Sequence, residues 1–270
     1  MYTIISPSKT QDFSREMSTL PKCTFAVPEW NKQTKQLVAI MRGYTPSDFT
    51  NMMKVSPRLA RLTHQCFQAW DGDYGTKSIH MPAIAAFLGD VYKGFNLGEW
   101  STKDYKYAQE HLGIVSGLYG LIAPLNNIQP YRLEMGTRAN FTIDNVDYKN
   151  LYTFWQDILT NKMVEILNRE KILVNLASVE YSKVFNRKDI SIKTNAKIID
   201  IDFKINKNGI TKVIAIYAKR ARGLMANWII ENKIDNQKDL KKFAADGWEF
   251  IEHSEPDALG NVKMLFIKSL

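Results

Sequence analysis

The sequence predicts an α+β fold, a single compact domain over residues 1–270 in which a mixed sheet is surrounded by helices. Three observations carry that prediction. Strand patterns stand at both ends of the chain and again after residue 170, with helical periodicity between them, so distant segments share one sheet. An apolar fraction of 45%, including 11% aromatic residues overall, supplies the core that 270 residues can bury. No internal repeat, low-complexity tract or Pro/Gly/Ser-rich linker divides the chain.

Tyr2–Ile5 reads as a short buried strand, and Ser6-Pro7-Ser8-Lys9-Thr10 leaves its carboxyl end. Small hydroxyls and Lys9 in such a loop suit an anion, although Ser-Pro turns are common in loops of every kind. After a polar connector to Val27, residues 28–42 form a helix with Trp30, Leu37, Val38 and Met41 on one side and Gly43 as its C′ residue. Thr45 is a good N-cap, Pro46 fits the first helical position and Asp48 the first turn, giving a short helix to Lys54. Val55-Ser56-Pro57 turns the chain into a second helix over 58–70, with Leu59, Leu62, Cys66, Phe67 and Trp70 near helical spacing. With Lys54, Arg58 and Arg61 around the junction, residues 45–70 have the outline of a helix-hairpin-helix element, which offers a helix N-terminus and backbone amides to a phosphate run. Ser56-Pro57 replaces the usual Gly-hydrophobic-Gly hairpin, and an ordinary helical pair fits the pattern equally well.

Residues 82–88 read as a short apolar helix running into Gly89-Asp90-Val91-Tyr92-Lys93-Gly94, where the flanking glycines permit a sharp turn that aims Asp90 and Tyr92 inward. Ser101 starts a helix to about Leu112, with Asp104 where a capping box carries Glu or Gln. Residues 115–136 are unusual. Three glycines and two prolines punctuate them, yet Leu118, Leu121, Ile122, Leu125, Ile128, Leu133 and Met135 make them apolar. A buried loop is expected, and irregular buried backbone is costly because each amide needs a partner. Its polar tips are Tyr119, Tyr131, Arg132 and Glu134; either they serve a ligand, or Arg132 and Glu134 pair only with each other in a structural crossover.

Residues 150–169 give the clearest amphipathic helix. A second buried strand follows over 172–177, with Ser178, Glu180 and Tyr181 gathered at its end. Strands over 197–205 and 210–217 are joined through Asn208-Gly209, a strong hairpin signal. Residues 218–225 then pass from strand to helix with Lys219, Arg220 and Arg222 at the new helix's start, where cations oppose the helix dipole unless an anion compensates. The helix ends near Lys233, another covers 237–246, and strands over 248–253 and 262–267 close the chain as a hairpin.

Net charge is +8, and the stretch from Lys183 to Arg222 holds eleven Lys or Arg against Asp189, Asp200 and Asp202. A basic field of that kind favours a polyanionic partner, nucleic acid first and an anionic metabolite second; a lysine-rich solubilising face is the alternative. Cys23 and Cys66 have no C-x-x-C spacing, and His64, His80, His111 and His253 have no ligand spacing, so neither a disulfide framework, a metal site nor a cofactor is expected. The chain has no run of about 18 apolar residues and no signal-peptide pattern, which predicts a soluble cytoplasmic protein without a membrane partner.

Ile5-Ser-Pro-Ser-Lys-Thr10, Phe87-Leu-Gly-Asp-Val-Tyr92, Ser116-Gly-Leu-Tyr-Gly120, Ile128-Gln-Pro-Tyr-Arg-Leu-Glu-Met-Gly136, Asn175-Leu-Ala-Ser178, Glu180-Tyr181 and Tyr217-Ala-Lys-Arg-Ala-Arg-Gly223 occur in series over nearly the whole chain. Together they resemble the YaaA peroxide-stress protein family. The resemblance implies a central basic cleft, a helix-hairpin-helix element, binding of double-stranded or distorted DNA, and a cytosolic role in protecting DNA from peroxide, linked to low unincorporated iron. It places Lys9, Asp90, Tyr119, Tyr131, Arg132, Glu134, Asn175, Glu180, Lys219 and Arg222 around the cleft. Ser6, Ser116 and Tyr181 join the expected lining, with Ser116 to Gly120 as floor, and Tyr131, Arg132 and Glu134 as one wall. Lys54, Arg58, Arg61 and Arg220 complete the expected DNA-contacting cations of a monomer. An alternative is an enzyme acting on a damaged base, nucleotide or small anion, with Lys9 or Lys219 as nucleophile or electrostatic stabiliser and Asp90, Glu134 or Glu180 as general acid or base. Direct iron binding fares poorly, because carboxylates and histidines lack ligand spacing and the local charge is positive.

Overall fold

Parallel pairing at the centre and antiparallel pairing at both margins make the principal sheet mixed. The computed structural model describes residues 1–14, 25–75 and 77–270; Cys23 and most of the polar connector ahead of Val27 lie outside them. Among the described residues this sheet has eight strands. Seven run in the order Glu249–His253, Val262–Ser269, Lys197–Lys207, Ile172–Asn175, Tyr2–Ile5, Leu112–Ser116, Gly120–Ile122, and Ile210–Lys212 pairs with the far end of Lys197–Lys207. Thr3 stands opposite Leu112 on one side and Val174 on the other, both in parallel register.

The sequence explains these placements. Tyr2–Ile5 is buried at every position, as a central parallel strand covered on both faces must be. Lys197–Lys207 alternates instead: Ile199, Ile201, Phe203 and Ile205 are buried while Asp200, Asp202 and Lys204 stand between them half-buried. Helices flank the sheet, the longest being Leu151–Glu170 and Ala215–Asn232. Thr45 and Ser101 each accept a bond from the amide of the aspartate three residues on, and each aspartate carboxylate accepts one from the cap's own backbone N–H, so both expected helix starts form full capping boxes.

The helices Pro46–Met53 and Pro57–Ala69 meet through a turn in which Lys54 adopts φ 53°. Phe49 and Phe67 stack between them at 5.6 Å, both fully buried. Gly43 closes the preceding helix, Asn31–Arg42, at φ −72°, so no left-handed C′ turn is made there.

Several expected elements differ. The apolar helix after Pro82 spans only Ala83–Ala86, because Phe87–Leu88 pairs with Thr10–Gln11. The stretch over 115–136, expected as loop, contributes the end of Leu112–Ser116 and all of Gly120–Ile122 to the sheet, which satisfies much of its buried backbone. The strand from Ile210 stops at Lys212, and Ala215 already begins the helix. The helix from Gln237 ends at Leu240, with a separate 3-10 turn at Ala245–Gly247. Arg187–Thr194 is a helix and Phe141–Ile143 with Val146–Tyr148 a hairpin, neither of them foreseen.

Candidate functional site

The chain leaves Tyr2–Ile5 towards Leu112–Ser116 on one side and leaves Ile172–Asn175 towards Lys197–Lys207 on the other. Connections diverging from two neighbouring parallel strands open a crevice beyond their carboxyl ends, the usual ligand position in such sheets. A cavity of about 310 Å³ lies there, walled by the Ser6–Thr10 and Gly89–Tyr92 loops, by Ser178, Glu180 and Tyr181, and by Lys219 and Arg222. A larger one of about 440 Å³ lies beside Pro57–Ala69, but Leu62, Cys66, Trp70 and Ile79 make it mainly apolar, and it holds none of the sequence-predicted site residues.

Backbone and hydroxyl contacts fix the walls. Ser6 Oγ accepts from the Ser178 amide at 2.9 Å, joining the loops that follow the two strands. Tyr92 donates to the Ser6 carbonyl at 3.1 Å. Gly223 and Gly94 bring the helix Ala215–Asn232 backbone to backbone against the Gly89–Gly94 loop: a Cβ on Gly223 would overlap the Val91 carbonyl oxygen, and one on Gly94 would overlap the Leu224 amide nitrogen. That close crossing sets Asp90 and Arg222 on one cavity.

The segment from Tyr131 to Thr137 alternates strictly, with Tyr131, Leu133, Met135 and Thr137 buried and Arg132, Glu134 and Gly136 turned outward. Glu134 Oε1 lies 2.9 Å from Arg132 Nη2 and 3.2 Å from Lys9 Nζ. These are ion pairs rather than aligned hydrogen bonds, since Glu134 Oε1 and Arg132 Nε are buried without a hydrogen-bond partner among the described residues. Glu180 Oε1 accepts from the Gly136 amide at 3.1 Å, and Asp90 pairs with Lys93 at 3.5 Å. Each of the three carboxylates therefore has a partner. Lys219 and Arg222 have no ion pair among the described residues, and Arg222 Nε is buried without a hydrogen bond. Burial pushes the Arg222 pKa down, with the Asp202 charge opposing the shift. The Tyr181 hydroxyl is pushed well above its ordinary value, first by burial and then by the charge of Glu180.

Lys9, Asp90, Glu180, Lys219, Arg222, Ser6 and Tyr181 thus meet at one cavity, and Glu134 touches it through Lys9. Arg132 is off the cavity wall, held by Glu134, and four other expected lining residues do not reach it either. Ser116 and Tyr131 bond each other at 2.7 Å in the core, where Ser116 Oγ also accepts from the Leu118 and Tyr119 amides. Tyr119 is fully buried; its oxygen accepts from Trp70 Nε1 at 2.8 Å and the Gln129 amide at 2.9 Å, and burial pushes its pKa up to about 12. Asn175 donates to Asp200 at 2.7 Å, a carboxylate that Arg187 also clasps. Ser116 to Gly120 therefore braces the core rather than forming a cavity floor, and Tyr131 cannot share a wall with Arg132 and Glu134, because extended backbone sends odd and even positions to opposite sides.

Arg220 is exposed and off the cavity wall. With the helix beginning at Ala215, Lys219, Arg220 and Arg222 stand beyond its first turn, so the dipole conflict expected of a cationic helix start does not arise. Lys54, Arg58 and Arg61 are exposed around the helical pair and form no ion pair among the described residues. The Trp70–Tyr119 bond ties that pair to the turn after Leu112–Ser116, on the same edge of the sheet as the cavity. The sequence reading missed Lys93, although its spacing of three from Asp90 was a usable signal. Among the described residues no three His, Cys, Asp or Glu side chains are arranged to hold a metal ion, and no helix is long and apolar enough to cross a membrane.

A family model described as peroxide stress protein YaaA matches residues 1–254. The chain is 42% identical over 250 residues to a UPF0246 protein of Marinomonas sp. strain MWYL1, covering 93% of this chain and 92% of that one. It is 42% identical over 254 residues to a UPF0246 protein of Aliivibrio fischeri strain MJ11, covering 93% of each. A UPF0246 protein of Acaryochloris marina strain MBIC 11017 is 41% identical over 269 residues, the full length of both chains.

Proposed function

Because the chain belongs to the YaaA peroxide-stress protein family, we propose that it is a cytoplasmic DNA-binding protein of the oxidative-stress response whose cavity holds a phosphate-bearing group of its ligand. One observation carries this reading. Lys219 and Arg222 face a crevice at the carboxyl ends of parallel strands and form no ion pair among the described residues, while the neighbouring carboxylates are already partnered. An unpaired, half-buried guanidinium is stabilised by a ligand phosphate that accepts from it. Lys54, Arg58 and Arg61 supply a second phosphate contact, with their helical pair acting as a helix-hairpin-helix. In this reading a monomer binds double-stranded or distorted DNA with little sequence preference, and its association with low free iron is indirect.

Anisotropy of a labelled duplex titrated at several salt concentrations tests the reading. Log K is expected to fall by about 0.9 per neutralised phosphate per log unit of salt, and Lys219→Ala or Arg222→Ala to reduce the slope by about 1 each. Affinity indifferent to salt would sink it.

A second reading, chemistry on a damaged base or nucleotide, is favoured by the contact of Lys9 with Glu134 beside Glu180 and Asp90. Lys9 or Lys219 would act as nucleophile or electrostatic stabiliser and a carboxylate as general acid or base. Borohydride reduction in the presence of a panel of lesion-bearing duplexes is expected to trap a covalent adduct; its absence across the panel removes the Schiff-base version.

A further inference from the structure

We propose that the cavity accepts a single nucleotide turned out of a DNA strand, and that the exposed Val179 and Ile216, neighbours of its wall residues Glu180 and Lys219, occupy the gap this leaves in the base stack. The inference rests on the DNA-binding reading.

Val179 is 77% exposed although it stands between Ser178 and Glu180, both in the cavity wall. Ile216 is 58% exposed and lies one helical turn before Lys219, on the same face of the helix Ala215–Asn232. Exposed aliphatic side chains are ordinary when scattered. These two instead adjoin wall residues, Val179 in sequence and Ile216 along one helix face, of a cavity whose Lys219 and Arg222 form no ion pair among the described residues. A rim that met only the phosphates of an intact duplex would gain nothing from apolar groups. Unstacked base faces are apolar surfaces, and proteins that open a base step insert such wedges into it.

Size and interior chemistry agree. At about 310 Å³ the cavity is at the small end of the ~300–1,000 Å³ typical of ligand pockets, fitting one nucleotide-sized group rather than paired strands. Lys219 and Arg222 suit a phosphate, while Asp90 and Glu180 can accept from exocyclic amino groups of a base. A free mononucleotide would satisfy the same interior without engaging the rim.

The test uses the full chain and duplexes carrying 2-aminopurine at one position, either paired or mismatched. The wild-type protein is expected to raise the mismatched probe's fluorescence several-fold and to favour the mismatch over the matched duplex by about tenfold, because an unpaired base is the easiest to extrude. A Val179→Ser/Ile216→Ser double variant is expected to bring that preference close to one and to remove most of the fluorescence rise. Ile251→Ser, a substitution of a 49% exposed residue on the sheet's outer strand, serves as control and changes neither readout. Binding without a fluorescence rise, or an equal rise in the double variant, overturns the proposal while leaving DNA binding intact. Failure of the wild type to bind any duplex overturns both readings. Displacement of duplex by a mononucleotide with no fluorescence rise assigns the cavity to small anions and counts against extrusion.

Discussion

A methyl group on Gly223 would collide with the Val91 carbonyl oxygen, and one on Gly94 with the backbone of Leu224. Neither obstacle is a flexible side-chain end, so accommodation requires the loop or the helix to move. Overpacking of this kind costs about 1–3 kcal/mol, sometimes more. Gly223→Ala is therefore expected to lower the thermal midpoint clearly and weaken ligand binding. Gly98→Ala, with open space around it, stays within about 0.5 kcal/mol of the parent. Equal midpoints for the two variants would show that this crossing does not organise the cavity. Glu134→Gln tests the charge balance: with Glu134 and Arg132 only 13% and 17% exposed, removing the anion is expected to cost stability, and it frees Lys9 for an incoming phosphate. Urea unfolding should shift to lower denaturant while DNA affinity at low salt rises; a rise in stability would refute the pairing. Residue-level legibility was uneven for a definable reason. The apolar-polar alternation of Tyr131, Arg132, Leu133, Glu134 and Met135 is present in the sequence, but flanking glycines and prolines make the stretch read as irregular and hide that Tyr131 faces away from Arg132 and Glu134.

Caps read well at the level of elements because they are local chemistry. Thr45 with Asp48 and Ser101 with Asp104 formed as their spacing required. Asp104 does more than its sequence disclosed. Its carboxylate also bonds Lys233, tying the start of Thr102–His111 to the end of Ala215–Asn232. Lys233 first and Ser101 second lower its pKa from 3.8 to about 2. A depressed carboxyl pKa adds stability that is fully present above the unfolded value and is lost as pH falls through the folded one. The wild type should thus lose stability between about pH 4 and pH 2, and Asp104→Asn should flatten that limb; unfolding curves at pH 6, 3 and 2 read the difference. An unchanged acid limb would remove Asp104 from the account. Illegible elements were those decided by distant packing. Val213 to Tyr217 is rich in β-branched and aromatic residues and reads as strand, yet Ala215 onward is helical, packed against the Tyr92–Gly94 turn. Leu112–Ser116 follows a helix with no turn signal between them, so periodicity alone could not separate the two.

For the whole molecule, net charge was legible and its focus was not. Of the cations between Lys183 and Arg222, Arg187 is held by Asp200, Lys193 by Asp189, and Lys207 and Lys212 stand exposed near the hairpin tip. Only Lys219 and Arg222 reach the cavity. Lys207→Gln/Lys212→Gln is expected to leave the salt slope of DNA binding nearly unchanged, in contrast to substitution at the cavity pair; a comparable fall in slope would place the binding face at the hairpin instead.

The position of Tyr2–Ile5 in the middle of the sheet has a consequence for biosynthesis. Its partners on either side lie at residues 112–114 and 173–175. At about 5–20 residues per second, a ribosome needs roughly ten to thirty seconds to supply both after the strand itself emerges. Throughout that interval an apolar strand is present in the cell with unsatisfied edges, the condition under which nascent chains engage holdase chaperones. The cavity closes later still, because Lys219 and Arg222 follow both partner strands out of the exit tunnel. Ligand recognition in this protein is thus a property of the nearly finished chain.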